Sequence, residues 1–543
     1  MSGKVIAPAP DLTAVPSSPP AHVIPAFGPR IVVGMLGMLL SVIMSAVNLY
    51  STDINGADIQ GGMLFGADEQ AWSKGIFEAA MVVGMTFAPW CVVTFTLRRM
   101  ALCMTGLMAL AGALCPFAPD LPTFYLLRGV QGLAGGAVTP MLITVALRYC
   151  PPQYRLYGFA AYALSSNFGP NMSLPIAGWS SDYGGLIGIF WNIVPFCALS
   201  MAALAYGLPK DPLRLDRFKG FDIVGVTTGA IALAMLATAA TQGDRLNWFD
   251  SALFTLLITG GGGLFAFFLL NEWFHPAPIF KLQILARPNF LFAVIGILVL
   301  VIVFLGVVVV PLHFLGETQG YRPADVGNLA LIIAMPQLVI LPLVSALLNI
   351  ERVDCRWVFI TGLLLAGYSC YLASSLTSEW VRDDFYGIVA LLSVGEAMAI
   401  LPLLMLVVDQ MPPDDGPFVS ALFNSTKGFA SILIGTIIEG FGRWRVGHHS
   451  SAFVSQLGRQ PDAYQEHLTT LASQLVGAVP EPATRTDVAL EMLAEQVHLQ
   501  STTLAMADLY RLLLVIVAAM IVVTLTIPTR IYPPRSIAPR PTR

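Results

Sequence analysis

Residues 125–140 read Tyr-Leu-Leu-Arg-Gly-Val-Gln-Gly-Leu-Ala-Gly-Gly-Ala-Val-Thr-Pro, an apolar stretch holding one arginine, Arg128, followed by glycines at 129, 132, 135 and 136. The window around it, about 122–147, is long enough for a bilayer-spanning helix. An arginine at membrane depth costs roughly 3 kcal/mol on insertion scales, so it should face a polar interior and be a functional candidate by default. The alternative is an interfacial arginine that snorkels to the nearby outer surface. The glycines permit close approach of neighbouring backbones, which is ordinary packing between helices in lipid.

Outward from this stretch the pattern repeats. The chain of 543 residues is 56% hydrophobic and only 11% charged, with a mean hydropathy of +0.72, whereas soluble domains are about one quarter charged. Spans are expected at about 31–50, 74–96, 100–117, 122–147, 157–179, 186–208, 222–242, 252–270, 290–313, 328–348, 357–375, 385–408, 418–440 and 507–528, which makes fourteen. Loops on the starting side carry Arg98, Arg99, Arg148, Arg155, Lys210, Arg214, Arg217, Lys219, Lys281, Arg287, Arg352, Arg356 and the arginines after 529, while opposite loops hold mainly acids such as Asp53, Asp68, Asp120 and Asp383. Under the positive-inside rule both termini are cytoplasmic. One inside loop, with Asp409, Asp414 and Asp415, breaks the pattern.

The net charge of −4 comes without a lysine or arginine run, which argues against a nucleic-acid partner. The seven cysteines are scattered and read as packing residues. Residues 1–30, rich in Pro, Ala and Ser and lacking a cleavage pattern, read as a disordered cytoplasmic tail. The one long polar connection, 444–507, faces outward by this count; Asp462–Val476 and Arg485–Leu499 have apolar residues at helical spacing and read as short amphipathic helices. They either cover the exit mouth or dock a partner protein.

Three motifs occur in order: Arg128, Gln131 and Gly132; then Gly169-Pro170 with Gly178; then Phe190-Trp191-Asn192-Ile193-Val194-Pro195. Together they resemble the EmrB/QacA-type drug:proton antiporters of the major facilitator superfamily, a resemblance that runs from about residue 31 to 528. It implies an all-α membrane protein with two six-helix bundles and two additional central transmembrane helices: an N-terminal bundle over 31–208, the inserted pair within 209–289, a C-terminal bundle over 290–528 that includes the large loop, and a cytoplasmic tail over 529–543. It also implies that Arg128 and Gln131 belong to the proton-coupling region and that Gly169, Pro170 and Gly178 mark the antiporter bend.

The chain departs from the family pattern in the first span, where Ile43 stands in place of the usual Asp, and in the loop after span two, where only Arg98 and Arg99 remain of a longer motif. A coupling group must then lie elsewhere. Ionisable residues at span depth are few: Lys74, Glu78, Arg128, Glu396, Lys427 and Glu439. Lys74 and Glu78 stand at i,i+4, where they can neutralise each other. Glu78 and Glu396 are the best proton carriers, since a desolvated glutamate binds a proton readily; the competing reading of Glu396 is a structural carboxylate.

No Gly-x4-Gly-Lys-Ser/Thr loop is present, so an ion gradient is the expected energy source. No catalytic constellation, metal site or cofactor motif emerges, and the histidines are dispersed apart from His448-His449. The leading expectation is a bacterial inner-membrane exporter of small amphipathic drugs or toxins by proton antiport, with a periplasmic adaptor and an outer-membrane channel as candidate partners. A dedicated exporter of a siderophore or acidic metabolite is the nearest alternative. A non-transporting membrane sensor is the alternative from another class.

Overall fold

Lipid offers no hydrogen bonds to the backbone, so apolar segments of this length must bond internally, as helices. The computed structural model describes residues 27–275, 278–279, 281–322, 325–408, 416–475 and 481–526, which contain helices and no strand. The expected tails, apart from residues 27–30, and the acidic loop with Asp409, Asp414 and Asp415 lie outside these residues, as does the Glu439 side chain.

The helices are α1 (Pro29–Ile54), short α2 (Gly56–Met63), α3 (Ala67–Phe95), α4 (Leu97–Leu114), α5 (Leu121–Tyr149), α6 (Arg155–Trp191), α7 (Val194–Gly207), α8 (Ile223–Gln242) and α9 (Ala252–Phe274). They continue with α10 (Pro288–Gln319), α11 (Gly327–Leu348), α12 (Cys355–Ala373), α13 (Tyr386–Val408), α14 (Gly416–Arg459), α15 (Pro461–Gln474) and α16 (Pro482–Leu525). Twelve described helices are long and apolar enough to cross a membrane, and α6 with α7 forms a bent pair besides.

That pair supplies two crossings, because α6 is broken at Gly185 (φ 54°, ψ −153°), a backbone conformation open to glycine. In one unbroken helix residues 180 and 192 would stand about 18 Å apart. Instead Asn192 Nδ2 donates to Ser180 Oγ at 3.3 Å, so the chain reverses here. With the twelve other membrane-length helices, the described residues form two bundles of six and one inserted pair.

In the first bundle α1 packs on α6 and α7, α3 on α5, and α4 on α5 and α7. A Cβ on Gly132 or Gly136 would collide with the backbone carbonyls of Phe77 and Met81, so these two glycines set how closely α5 crosses α3. In the second bundle α13 packs on α10, α11 and α12, while α16 packs on α10, α12 and α14. The bundles meet where α6 lies along α11 and where α14 lies against α3 and α5. Inserted α8 packs on α9 and touches one helix of each bundle, α3 and α14.

The polar connection differs from its sequence reading. Asp462–Val476 corresponds to a separate helix, α15, but Arg485–Leu499 is the first part of the 44-residue α16. At 1.5 Å per residue α16 is about 66 Å long, twice the hydrocarbon thickness, and α14 matches it at 44 residues. Leu468, Leu471, Ala489 and Leu493 form a small core that ties α15 to the α16 extension, whereas Leu490 stays exposed.

Candidate functional site

A cavity of about 1340 Å³ lies between the bundles. Its walls come from α1, α3, α5 and α6 on one side, α10, α11, α13, α14 and α16 on the other, and the end of α8. It reaches outward to Asp53, Asp68, Arg245, Glu317, Arg443 and His498, at the end of the molecule that carries α2 and α15; the helix ends bearing Arg98, Arg148, Arg287 and Arg356 contribute nothing to it. Toward this basic end the halves are sewn together. Tyr162 donates to Asn424 Oδ1 (2.7 Å), Ser420 to the Pro140 carbonyl (2.7 Å), Ser345 to the Leu156 carbonyl (3.2 Å), and the Thr86 and Ser425 hydroxyls meet at 2.9 Å. The cavity is thus closed at the basic end and open at the other.

Rim charges are paired. Lys74 Nζ binds Asp53 at 2.9 Å, so the lysine placed opposite Glu78 by spacing also reaches across to α1. His313 lies 3.0 Å from Glu317. The turn after α8 makes two ion pairs, Arg245 with Asp68 and Asp244 with Arg443. Gln242 donates to the Ala71 carbonyl at 2.8 Å, and Thr436 donates to the Ala240 carbonyl. The inserted hairpin therefore grips α3 with one residue set and α14 with the other, directly at the mouth.

Deeper down the charges are handled differently in the two halves. Arg128 on α5 is 3% exposed and does not snorkel. Its guanidinium donates to Gln131 Oε1 (2.7 Å) and Thr52 Oγ1 (2.9 Å), and lies 4.4 Å from the Phe77 ring centroid. Gln131 in turn donates to Asn48 Oδ1 at 3.0 Å, and the Thr52 hydroxyl donates to the Asn48 carbonyl at 2.8 Å. Neither Asp53 nor Glu78 is its hydrogen-bond partner. A buried cation is thereby held by neutral oxygens and a π face.

In the second half Glu396 on α13 and Lys427 on α14 both line the cavity. No ion pair within 4.0 Å joins them. Lys427 Nζ sits 5.8 Å from the Tyr162 ring, a contact across the two halves. Glu78 lines the same cavity from α3. The wall that α10 contributes is aliphatic or aromatic from Ile297 through Leu312, whereas α6 presents Ser165, Ser166, Asn167, Asn171 and Ser173. Such a space can hold a molecule by apolar area and orient it by a few polar contacts.

The structure thus brings Arg128, Gln131 and Glu78 to one region and Glu396 and Lys427 to another. Residues 169–178 of the Gly-Pro motif keep helical dihedrals, and the only non-helical break in α6 falls later, at Gly185. Gly169 faces α1, where an added Cβ would stand 2.7 Å from Ala46 Cβ, and Pro170 lines the cavity. Ile43, at the usual position of the family's Asp, is buried with Val47, Met108, Ala134 and Cys197, so the site is dry hydrocarbon. Sequence reasoning missed Thr52, the Phe77 face and the two ion pairs of Asp244 and Arg245.

Comparison with known proteins places this geometry. The chain is 21% identical over 478 residues to the colistin resistance protein EmrB of Acinetobacter baumannii, covering 87% of this chain and 90% of that protein. It is 23% identical over 412 residues to the fatty acid resistance protein FarB of Neisseria gonorrhoeae, covering 74% and 78%. A solved POT-family transporter in complex with a thioalcohol-conjugated peptide has the same fold, with a TM-score of 0.58, 14% identity, and coverage of 92% of this chain and 96% of that one. The profile of the Major Facilitator Superfamily matches residues 30–436. With two bundles enclosing one cavity and a family profile over three quarters of its length, this chain belongs to the major facilitator superfamily, a family of transporters and not of enzymes.

Proposed function

We propose that this protein is a secondary active exporter of small amphipathic molecules, driven by protons, in a bacterial inner membrane with both termini in the cytoplasm. The observation that carries the reading is the shared cavity, closed at the basic end and open at the other, with Glu396 and Lys427 outside any ion pair at its depth. An apolar α10 wall suits the greasy part of a substrate, and the resistance functions named for EmrB and FarB support export over uptake. Basic helix ends facing the cytoplasm orient the open mouth outward, which makes this the release state of the cycle.

Within this reading residues 31–208 and 290–528 are the moving bundles, and 209–289 is the inserted pair. Arg128 and Gln131 organise the interior of the first bundle. Glu396 carries the coupling proton, Glu78 is the second candidate for it, and Lys427 tunes Glu396. Gly169, Pro170 and Gly178 let α6 ride on α1 as the bundles rock. The α14–α15–α16 projection over 444–507 is where a periplasmic adaptor, leading to an outer-membrane channel, would engage.

A second reading, export of an acidic amphipath, is favoured by Lys427 as a cation at cavity depth and by the fatty-acid resistance of a relative. Purified protein in liposomes tests both. An imposed pH gradient should drive accumulation of an amphipathic dye or a fatty acid, and the preferred class identifies the reading. Absence of both counterflow and pH-driven uptake for either class removes the transport proposal.

A further inference from the structure

Asp508, half-buried on α16, is ringed by cations. Its Oδ2 accepts from Arg445 Nε at 2.8 Å and from Arg445 Nη2, and stands 2.9 Å from His449 Nε2. Its Oδ1 accepts from Arg511 Nη1 at 2.8 Å. Two guanidinium groups thus share one carboxylate, which leaves at least one positive charge over whatever the protonation of His449.

Part of that surplus lies on the outer surface of the bundle. Arg511 is 62% exposed at its side chain and heads a stripe of α16 that continues with Val515, Ala518 and Val522, all exposed, while Leu513 and Val517 between them, and Leu509 and Tyr510 just before, are buried. On α14 the neighbouring Trp444 is exposed, one apolar stripe on from Ile437, and its ring lies 5.5 Å from the Arg445 guanidinium. An exposed tryptophan where an apolar span meets its polar extension marks the headgroup level of a bilayer. Arg511 spends Nη1 on Asp508, and its Nε and Nη2 make no hydrogen bond among the described residues.

We propose that Arg511, with Arg445 and Trp444, forms a binding site for the phosphate of an anionic phospholipid, whose acyl chain lies along Val515, Ala518 and Val522. A guanidinium presents paired donors to phosphate oxygens, and a bilayer interface is where such a phosphate is found. The apolar stripe beneath the cation selects a lipid over free phosphate. The site sits at the root of the α14–α16 projection, so its occupancy fixes the depth of that projection in the membrane.

The full-length protein, purified in detergent, would be titrated with dioleoyl phosphatidylglycerol or dioleoyl phosphatidylcholine and the bound lipid read by native mass spectrometry. Wild type should retain one phosphatidylglycerol at about fivefold lower lipid concentration than Arg511→Gln. Arg511→Lys should fall between them, and phosphatidylcholine retention should be weak and equal in all three. Superimposable phosphatidylglycerol curves for wild type and Arg511→Gln overturn the site, as does equal retention of the two lipids. Displacement of the lipid by an equal concentration of glycerol phosphate would show a free-phosphate site and also overturn it. If Arg511→Gln does not yield monodisperse protein, Arg511→Lys and Trp444→Leu carry the test, and wild-type retention in both sinks the proposal.

Discussion

The two halves of this transporter share an architecture but treat buried charge in opposite ways. In the first bundle Arg128 is enclosed, with Gln131, Thr52 and the Phe77 face meeting its donors. In the second, Glu396 and Lys427 look into the open cavity and are not clasped to each other. Neutral acceptors satisfy a guanidinium without adding a second charge that must also be desolvated, so the group is stable and fixed. A carboxylate beside water keeps a route for proton exchange that a closed ion pair would block. Under the proposed coupling, the first half would supply a static frame and the second the moving charge, although the motifs of the family draw the eye to the first.

Under the proposed orientation the cavity that Glu396 and Lys427 line opens away from the cytoplasm. Cysteine introduced at Gln460 should be labelled from outside intact cells, and cysteine at Lys210 should not, an all-or-none difference measured with an impermeant maleimide over the parent chain's background. Labelling at position 210 would invert the orientation and with it the assignment of release and loading states.

If Arg128 is structural framework for the cycle, Arg128→Ala should reduce transport by more than about tenfold while membrane insertion and yield persist, because the acceptors left behind are neutral. Arg128→Lys should rescue only in part, since an ammonium cannot reach Gln131 and Thr52 as a planar fork does. Near-normal efflux by the alanine variant would remove the frame from the comparison.

For the moving charge, Glu396→Gln should abolish accumulation driven by a pH gradient while substrate exchange at equal pH stays within about twofold of wild type. Glu78→Gln, run beside it in the same liposomes, should keep pH-driven accumulation. Reversed outcomes would shift coupling into the first half, and retention of coupling by both variants would break the comparison outright.

Smaller effects should follow from the mouth. The pairs Asp244–Arg443 and Asp68–Arg245 are partly exposed, and such pairs contribute about 0–1 kcal/mol each. Asp244→Asn should therefore change the outward-open fraction by no more than about fivefold, as read by spin-label distances across the mouth. Exchange of the two residues, Asp244→Arg with Arg443→Asp, should restore it. The least effect is expected at Asp120, where hydrogen bonds from Thr123 at the start of α5 hold the carboxyl below its ordinary value. Its contribution is complete at neutral pH and disappears as pH falls through the depressed value. Asp120→Asn should flatten that acid limb of the thermal stability profile with little change at pH 7.

Much of the architecture was legible in residues 31–528 read as a string. A bilayer imposes a length and an apolar composition on each crossing, and both are local properties, so the spans, the position of the polar connection and the burial of Arg128 followed from hydropathy. The small residues Gly132 and Gly136 likewise announced a close helix crossing at a spacing of four. Tertiary structure alone decided the partners. Arg128 meets Thr52 from 76 residues away, Lys74 reaches Asp53 besides facing Glu78, and the turn after α8 finds Arg443 nearly two hundred residues later. It also decided that the chain reverses at Gly185, that Arg485–Leu499 continues into the last span, and that Arg445 and Arg511 share the Asp508 carboxylate. Hydropathy is a property of one segment at a time, whereas an ion pair, a cavity wall or a lipid site is a relation between segments, and it comes into being only when packing sets them side by side.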